Sequence, residues 1–372
     1  MILSTFSSYL LYTSSFMLAS LFAIFYIKIK NSLRYFFFLF AISIPAFIAS
    51  LRNLHVGTDY EWYIYHISQF SKNINSISDF ALLDSSFEIG FNILIYFITR
   101  LTNYYPIVVF FIYLLIAFFI LMGLTKIIDK KYIGLGYFFY LSTFWLFSYN
   151  GLRQSIAAAI LFFSLAYIRE KRIWPFSLTV LFAMSFHKTA ILFLPMYFLF
   201  NMKKVKIEKI YLIISIISIL FIAFFLKQSS SFLGMDGYLQ SKYAQISSSS
   251  QLMAFIKIIQ SVILLLPFFL WQKKLVKIDH TNRLYYNMLY LYIFIQVLSI
   301  QLSIASRLGF YFEIVTIPLA IQIIQQSKKN KTLLNFIYIL YIYLYFIAYK
   351  YIYIYMGSGN VIPYIFIGGN IS

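Results

Sequence analysis

Arg153 is a charged residue in an apolar setting. It lies with Gln154 in the stretch NGLRQSIA, between the apolar runs YFFYLSTFWLF and ILFFSLAYI. A charged side chain within a bilayer costs roughly 2.5 kcal/mol or more on insertion scales, so such residues usually have a functional reason. Arg52, Lys188 and Arg307 stand in similar positions beside apolar runs. Because a guanidinium group binds phosphate oxygens through two parallel hydrogen bonds and an amide adds further donors, these residues predict anion binding.

Each of these cations also has a simpler explanation. Lysine and arginine at the end of a membrane helix can extend to the interface or pair with a carboxylate. His187, directly before Lys188, can be a structural histidine that only forms hydrogen bonds. The functional interpretation therefore depends on whether the cations are brought together.

The composition indicates a membrane protein. Of 372 residues, 62% are hydrophobic, 22% are aromatic and only 11% are charged, whereas about a quarter of the residues in a soluble domain are charged. Apolar runs near the ~20 residues that cross a hydrocarbon core recur along the whole chain. We therefore predict a single integral membrane domain over residues 1–372. The chain has no cysteine, which excludes disulfides, thiol catalysis and cysteine metal sites.

The net charge of +19 comes mainly from short basic loops. Most of the lysines and arginines fall in six clusters between apolar runs, a pattern that marks cytoplasmic loops and argues against nucleic-acid binding. The clusters are Lys28, Lys30 and Arg34; Lys126, Lys130 and Lys131; Arg169, Lys171 and Arg172; Lys203, Lys204, Lys206 and Lys209; Lys273, Lys274, Lys277 and Arg283; and Lys328, Lys329 and Lys331.

Placing all six clusters inside the cell predicts about twelve spans with both termini outside. The spans are expected at roughly 3–27, 33–51, 105–125, 132–149, 153–169, 173–186, 188–201, 208–226, 253–271, 284–304, 308–326 and 332–355. Residues 87–101 must then form an interfacial or re-entrant helix, and residues 174–200 must form short helices or a pair broken near His187. Two outer loops remain, at about 52–86 and 227–251, and the second is either a mobile lid or a plain connector.

This topology brings the cations to one depth. The helix that begins at Arg153 descends about 25 Å to Arg169, and the next run returns about 20 Å to His187, at 1.5 Å per residue. Arg52 and Arg307 lie at the outer ends of other predicted spans. Cations delivered to the outer leaflet by separate segments favour a diphosphate on a lipid whose chain lies in the bilayer, and undecaprenyl diphosphate fits that description.

Five segments, in order along the chain, resemble a known family. They are RNLHVGTDYEWY, FEIGFNIL, NGLRQSIA, FHKTAILFLPMY and SRLGFYFEIVTIP. The ordered set is similar to the motifs of bacterial exopolysaccharide and O-antigen polymerases, the Wzy-type proteins of the EpsG-like family. The resemblance extends from about Arg52 to Pro318, and Leu152 stands where the family motif usually has isoleucine.

The resemblance implies an all-α, polytopic membrane enzyme of the GT-C-like type with an outward-facing catalytic cavity. Such an enzyme is a metal-independent glycosyltransferase that uses a lipid-diphosphate-sugar donor and no cofactor. It would join undecaprenyl-diphosphate-linked repeat units of an O-antigen, capsule or exopolysaccharide at the outer face of the bacterial cytoplasmic (inner) membrane. Its expected partners are the lipid-linked oligosaccharide donor and acceptor, membrane lipids and a chain-length regulator protein.

The resemblance also implies a role for the cations. Arg52, Arg153, Gln154, Lys188 and Arg307 would bind the diphosphate and stabilise the negative charge that develops on it as the glycosidic bond breaks.

A general base must take the proton of the acceptor hydroxyl. Asp59 is the first candidate because it lies in the GTDY motif, although a salt bridge to Arg52 would explain it as well. Glu88 and His187 are the alternatives, and Glu88 could instead be the charge at a helix N-terminus.

The aromatic residues Tyr60, Trp62 and Tyr311 are candidates for stacking on sugar rings. No pair of carboxylates occurs within a span with a third ligand, so no metal site is predicted.

Three other functions are weighed against a polymerase. An O-antigen ligase or another lipid-sugar transferase would share the donor, but a ligase normally carries a larger late outer loop than residues 227–251. A flippase for the same lipid-linked oligosaccharide would place charges at several depths. A structural or assembly partner would not need the cations.

Overall fold

The computed structural model describes residues 1–74, 76, 79, 87–201, 248–299, 305–329, 332–355 and 359–368. The described residues are mostly helical, with two isolated β-bridges among them, so the all-α prediction is confirmed. The chain forms two compact units, one of Met1–Leu194 with Thr332–Ser372 and one of Pro195–Lys331. The single domain expected over residues 1–372 stays a prediction.

The first unit is a bundle of apolar helices. In order, α1 packs on α2, α2 on α5, α5 on α7 and α7 on α8. The helices are α1 (Thr5–Lys28), α2 (Leu33–Ser50), α3 (Tyr60–Asn73), α4 (Ile89–Thr99), α5 (Tyr105–Ile127), α6 (Ile133–Thr143), α7 (Leu152–Arg169), α8 (Ile173–Met184) and the helix Leu333–Tyr355. Short 3-10 helices cover Lys130–Tyr132, Trp145–Tyr149 and Lys188–Phe193.

Several helices are long and apolar enough to cross a membrane. Among the described residues these are α1, α2, α5 and α7, and the bent pair Ile258–Leu270 with Gln272–Ile278 would make a fifth span. In apolar helices of this length the backbone N–H and C=O groups form hydrogen bonds within the helix, as they must where a bilayer offers no water. The chain is therefore a membrane protein, while the count of about twelve spans stays a prediction.

Several of the other predicted spans are short or interrupted helices. Residues 132–149 form α6 and then the 3-10 helix Trp145–Tyr149, and α8 has only 12 residues, about 18 Å. The expected break near His187 is present, since it separates α8 from the 3-10 helix Lys188–Phe193. Residues 308–326 are interrupted, in helices Ala305–Leu308, Phe310–Glu313 and Thr316–Lys329. The predicted span 208–226 lies outside the described residues.

The outer loop predicted at 52–86 contains a helix that was not anticipated. This helix, α3, buries Tyr60, Tyr63 and Ile67 and exposes Trp62 and Tyr65. The buried residues are three and four positions apart, which is the spacing of one helix face. The signal is present in the sequence, but it is short and lies between turn residues.

The first unit has two chemically different ends. At one end, which we call the basic end, Arg34 donates to the hydroxyl of Tyr26 at 3.3 Å and Arg169 donates to the carbonyl of Ile127 at 2.6 Å. Three of the basic clusters flank the helix ends that meet there. The opposite end contains the start of α1, the end of α2, the start of α7 and residues 359–368.

The second unit has its own buried polar contacts. The side-chain amides of Asn282 and Gln322 exchange two hydrogen bonds, of 2.6 and 2.7 Å. The hydroxyl of Tyr286 donates to the carbonyl of Phe268 at 2.8 Å. These bonds join the helix Asn282–Leu298 to the helices Thr316–Lys329 and Ser248–Leu270.

Candidate functional site

Glu88 is the centre of a charged cluster at the opposite end of the first unit. The guanidinium of Arg153 donates to Glu88 Oε2. Oε1 of the same carboxylate lies 3.2 Å from His187 Nδ1 and accepts from the backbone N–H of Lys188 at 3.1 Å. The side chain of Glu88 is only 7% exposed, whereas those of Arg153 and His187 are 19% and 26% exposed. Three residues that the sequence singled out, Arg153, His187 and Lys188, therefore meet around the carboxylate of a fourth, Glu88.

Local structure explains how the cluster forms. Glu88 is the N-cap of α4 and has an extended backbone conformation, so its side chain does not lie along the helix surface. His187 is likewise extended, between α8 and the 3-10 helix Lys188–Phe193. Arg153 is the second residue of α7. The cluster is thus assembled from three helix beginnings, where the backbone can turn a polar side chain toward its neighbours.

A close backbone contact holds α4 against the end of α8. The N–H of Gly90 donates to the carbonyl of Ser185 at 2.7 Å. A Cβ atom on residue 90 would lie 2.8 Å from both that carbonyl oxygen and the Cβ of Ser185, which is closer than such atoms approach. Gly90 is therefore required for the approach that brings Glu88 to His187.

We expect Gly90→Ala to destabilise the protein by about 1–3 kcal/mol, the usual cost of overpacking a contact that cannot relax. The midpoint of thermal unfolding of the purified protein in detergent measures the effect. Ser185→Ala is the control, because it removes only a hydroxyl and leaves the backbone contact in place. Equal midpoints for Gly90→Ala and the wild type would contradict this account of the contact.

The pKa of Glu88 reflects opposing influences. Burial raises this pKa. The hydrogen bond with His187, the positive charge of Arg153 and the N–H of Lys188 together lower it by more than burial raises it, so that the net pKa is about 2. The carboxylate is therefore ionised near neutral pH. An ionised carboxylate with such a low pKa is a weak proton acceptor, which argues against Glu88 as the general base.

Arg153 is held in place by aromatic residues as well as by Glu88. The guanidinium carbon lies 4.3 Å from the centre of the Phe87 ring, a cation–π contact. The charge of Arg153 also acts on the phenol of Tyr63 on α3. Gln154, the next residue, is 5% exposed. The fork of Arg153 is thus pre-positioned at the start of α7, and it remains partly open to solvent.

His66 and Asn92 support the cluster, and sequence reasoning missed both. His66 Nε2 lies 3.0 Å from Asn92 Oδ1, and the His66 ring centre is 4.0 Å from that of Phe87. Burial lowers the pKa of His66 to about 4, although its hydrogen bond with Asn92 opposes the shift. His66 is therefore neutral at pH 7. It packs against the ring of Phe87, which in turn contacts the guanidinium of Arg153. The buried face of α3 was the only signal that could have identified it.

Asp59 lies beside the cluster rather than in it. The hydroxyl of Thr58 donates to Asp59 Oδ1 at 3.1 Å. The backbone N–H of Thr58 donates to Asn150 Oδ1 at 2.6 Å, three residues before Arg153. Asp59 is half-buried. It therefore accepts from its neighbour in sequence, and the alternative salt bridge to Arg52 is not the contact observed.

Arg52 is buried, contrary to the expectation that it contacts a diphosphate. It is 1% exposed, and its guanidinium donates to the carbonyls of Ala49 at 2.7 Å and Val56 at 3.1 Å. Rings of Tyr60 and Tyr149 lie 3.7 and 4.0 Å from the guanidinium carbon. A guanidinium enclosed in this way has no surface for a ligand, so direct binding by Arg52 does not fit this structure.

The remaining predicted residues are divided between the two units. Arg307 is exposed in the helix Ala305–Leu308 of the second unit, and its convergence with Arg153 stays a prediction. Tyr60 and Tyr311 are 0% and 1% exposed, so their rings are not open to a sugar, whereas Trp62 is 57% exposed. Among the residues that the structure describes, no group of three histidine, aspartate or glutamate side chains could hold a metal ion.

Comparison with known proteins supports one family. No curated protein and no solved structure matched the chain. The model of the EpsG family matches residues 35–366. This match includes the Glu88, Arg153 and His187 cluster and all five segments whose order suggested the family. Membership is consistent with a bacterial membrane protein that has an exopolysaccharide polymerase-like role. The chain belongs to the EpsG family.

Proposed function

We propose that this protein is a polysaccharide polymerase, a metal-independent glycosyltransferase. It would join undecaprenyl-diphosphate-linked repeat units of an O-antigen, capsule or exopolysaccharide at the outer face of the cytoplasmic membrane. The observation that carries the proposal is the convergence of Arg153, Glu88, His187 and Lys188 from three distant segments. Family membership supports the polymerase class, and the cluster supplies groups that the reaction needs.

The position of the cluster supports an outward-facing site. It lies at the end of the first unit opposite to the basic end. Basic loops between membrane helices mark the cytoplasmic side. We therefore place the cluster on the periplasmic or exterior side, where lipid-linked repeat units would be joined.

In the proposed reaction, an acceptor hydroxyl oxygen attacks the anomeric carbon of the donor sugar. The bond between that carbon and the diphosphate oxygen breaks, and undecaprenyl diphosphate leaves with the bonding electrons. Arg153 and the side chain of Lys188 stabilise the charge that develops on the diphosphate. The expectation from the sequence that Arg307 also binds the diphosphate is kept in the proposal.

His187 is the general base in this proposal. The ionised carboxylate of Glu88 faces Nδ1, so in a neutral imidazole Nδ1 donates its hydrogen and Nε2 is left as the proton acceptor. The acceptor hydroxyl transfers its proton to Nε2 as its oxygen attacks. Glu88 thus orients His187 and Arg153 together. Asp59, beside the cluster, is the alternative base.

The experiment that tests the proposal uses purified protein in detergent or nanodiscs. Undecaprenyl-diphosphate-linked repeat units and lipid A core are added, and the products are separated by length. Polymerase activity predicts glycans of several repeats on one lipid and release of undecaprenyl diphosphate. Transfer only to lipid A core would indicate a ligase, and transport of the substrate across a vesicle bilayer without new glycosidic bonds would indicate a flippase.

A separate prediction concerns the charge state of Glu88. Its pKa of about 2 lies below its ordinary value of 4.5, so the stabilisation from the ionised group is complete above that value and is lost as the pH falls toward 2. In protein labelled with carbon-13 at glutamate carboxyls, we expect the Glu88 signal to keep its ionised position from about pH 8 down to about pH 4. Glu88→Gln assigns the signal by removing it. A titration midpoint above 4.5 would contradict the prediction.

A further inference from the structure

Arg52 is a buried cation that is held by carbonyls and aromatic rings. A charge is costly to bury unless hydrogen bonds and favourable electrostatic contacts replace its water. Here the carbonyls of Ala49 and Val56 accept hydrogen bonds from the guanidinium, and ring faces of Tyr60 and Tyr149 lie within 4.0 Å of its carbon. Arginine is suited to this site because its planar group can donate in its own plane and stack on rings above and below.

These contacts join segments that are distant in the chain. Ala49 is near the end of α2, and Val56 is in the turn that follows it. Tyr60 is the first residue of α3, whereas Tyr149 ends the 3-10 helix that leads to α7. Arg52 therefore fixes the turn between α2 and α3 relative to the segment before α7.

Gly57 and Thr58 extend this connection to the start of α7. Gly57 has a φ of +100°, and a Cβ atom there would lie 2.6 Å from the carbonyl oxygen of Tyr149. Only glycine allows so close an approach in that conformation. The N–H of Thr58 donates to Asn150 Oδ1 at 2.6 Å, and the single hydroxyl hydrogen of Thr58 is shared between that oxygen, at 3.1 Å, and Asp59 Oδ1. Asn150 is three residues before Arg153, so the turn is docked directly onto the segment that positions the cluster.

Residues 359–368, which we call the strap, close the same region. The N–H of Asn53 donates to the carbonyl of Ile365 at 2.7 Å, and the N–H of Ile367 donates to that of Leu51 at 2.8 Å. These two bonds flank Arg52 in sequence. The hydroxyl of Tyr364 donates to the carbonyl of Ile48 at 2.6 Å.

We propose that Arg52 is a positioning residue that docks the turn at residues 52–59 onto Asn150 and so places Arg153 for the reaction. The strap keeps Arg52 in this position. Arg52 acts by holding the turn beside the segment that precedes α7, through its own contacts with Val56, Tyr60 and Tyr149, and makes no contact with substrate. The inference rests on the proposed function for its catalytic consequence, but the docking itself can be measured without activity.

The first experiment measures docking by disulfide formation. The chain has no cysteine, so a Thr58→Cys/Asn150→Cys pair introduces the only two thiols. We expect this disulfide to form readily under a mild oxidant when Arg52 is present. Adding Arg52→Gln should slow its formation about tenfold or more, the equivalent of losing one or two hydrogen bonds to a charged group. Arg172→Gln, an exposed arginine at the basic end, is the matched control and should leave the rate unchanged.

Equal rates of disulfide formation with and without Arg52 would overturn the docking inference. That result would leave the proposed function standing, because it does not involve the chemistry of the cluster. Tyr364→Phe is a milder second variant, since it removes only the hydroxyl that bonds Ile48. It should slow disulfide formation in the same direction, and it remains informative if Arg52→Gln fails to fold.

The second experiment separates positioning from ligand binding. Arg52→Gln should lower kcat for polymer formation by about tenfold or more, while KM for the lipid-linked donor stays within about threefold of wild type. Oxidising the Thr58→Cys/Asn150→Cys pair in the Arg52→Gln protein should restore part of the lost kcat, and reduction should remove it. A rise in KM with kcat unchanged would assign Arg52 to the diphosphate and overturn the positioning role.

Discussion

Arg153→Ala should reach the membrane in normal amount and lose long-chain polymer, so that cells carry single-repeat glycans. In the purified system we expect turnover to fall by about 10²–10³-fold, the usual cost of removing one group that stabilises developing negative charge. The physical reason is that Arg153 is the partly exposed member of the cluster whose guanidinium can serve both Glu88 and a diphosphate. Arg153→Lys keeps the charge but loses the planar fork, so it should retain only part of the activity.

The pairing of Arg153 with Glu88 gives this prediction a sharper form. In Arg153→Ala the carboxylate of Glu88 would stay buried without its guanidinium, and the loss could arise from that alone. The double variant Arg153→Ala/Glu88→Gln removes the uncompensated charge. Because Glu88 also orients His187, the reference is Glu88→Gln alone. If Arg153 acts on the diphosphate, the double variant is slower than Glu88→Gln alone. Equal turnover of these two variants would show that Arg153 is only a counter-ion and would reject its catalytic role.

Two further variants complete this test. Arg172→Gln, in the exposed ion pair with Glu170 at the basic end, is the matched control and should leave the glycan pattern unchanged. Arg307→Ala should give the same single-repeat glycans as Arg153→Ala if the two cations share one ligand. A wild-type ladder in Arg307→Ala would remove Arg307 from the site without affecting the argument for Arg153.

His187→Ala should lower the rate of polymer formation by about 10²–10⁴-fold, the usual contribution of a positioned general base. The ring stands with Nδ1 3.2 Å from the carboxylate of Glu88 and with 26% of its side chain exposed. Turnover of purified protein on lipid-linked repeat units measures the loss. Added imidazole should recover part of the rate, because the deleted ring leaves room for one beside Glu88.

His187→Gln is the control for this rescue. Its amide can still donate to Glu88 and hold the cluster together, but it cannot take a proton and leaves no room for added imidazole. It should therefore be as slow as His187→Ala and should not respond to imidazole. Asp59→Asn is the comparison for the alternative base. Normal turnover in both His187 variants, together with a large loss in Asp59→Asn, would move the role to Asp59.

Several residues of the site could be predicted because charged and polar side chains are unusual beside apolar runs of this length. Arg153 was identified because a charge between apolar runs is costly. His187 was placed near Arg153 by the lengths of the intervening helices, and the structure joins both residues to Glu88. Glu88 was anticipated as a carboxylate at a helix N-terminus, which is where it lies. Its position between the other two could not be read from helix lengths, because it depends on how α4 approaches α8.

Other site residues were predicted from their residue type alone, and the structure shows that some of them are buried. Arg52 shares its charge with Arg153, but its side chain is enclosed by Tyr60, Tyr149 and backbone carbonyls. Tyr60 and Trp62 are two residues apart, yet one is buried and the other exposed, because they lie on opposite faces of α3. The order of residue types in the sequence does not reveal which face of a short helix packs against the bundle.

The sequence by itself determined that this is a helical membrane protein with basic loops, and its ordered segments indicated the EpsG family. These properties depend on composition and local order, which the chain carries whatever its packing. Only the tertiary structure decided that Arg153 and His187 meet at Glu88, across 65 and 99 residues of chain, and that Arg52 is buried beneath the strap. The physical reason is that contacts across such separations are selected by side-chain packing between helices, which no local pattern specifies.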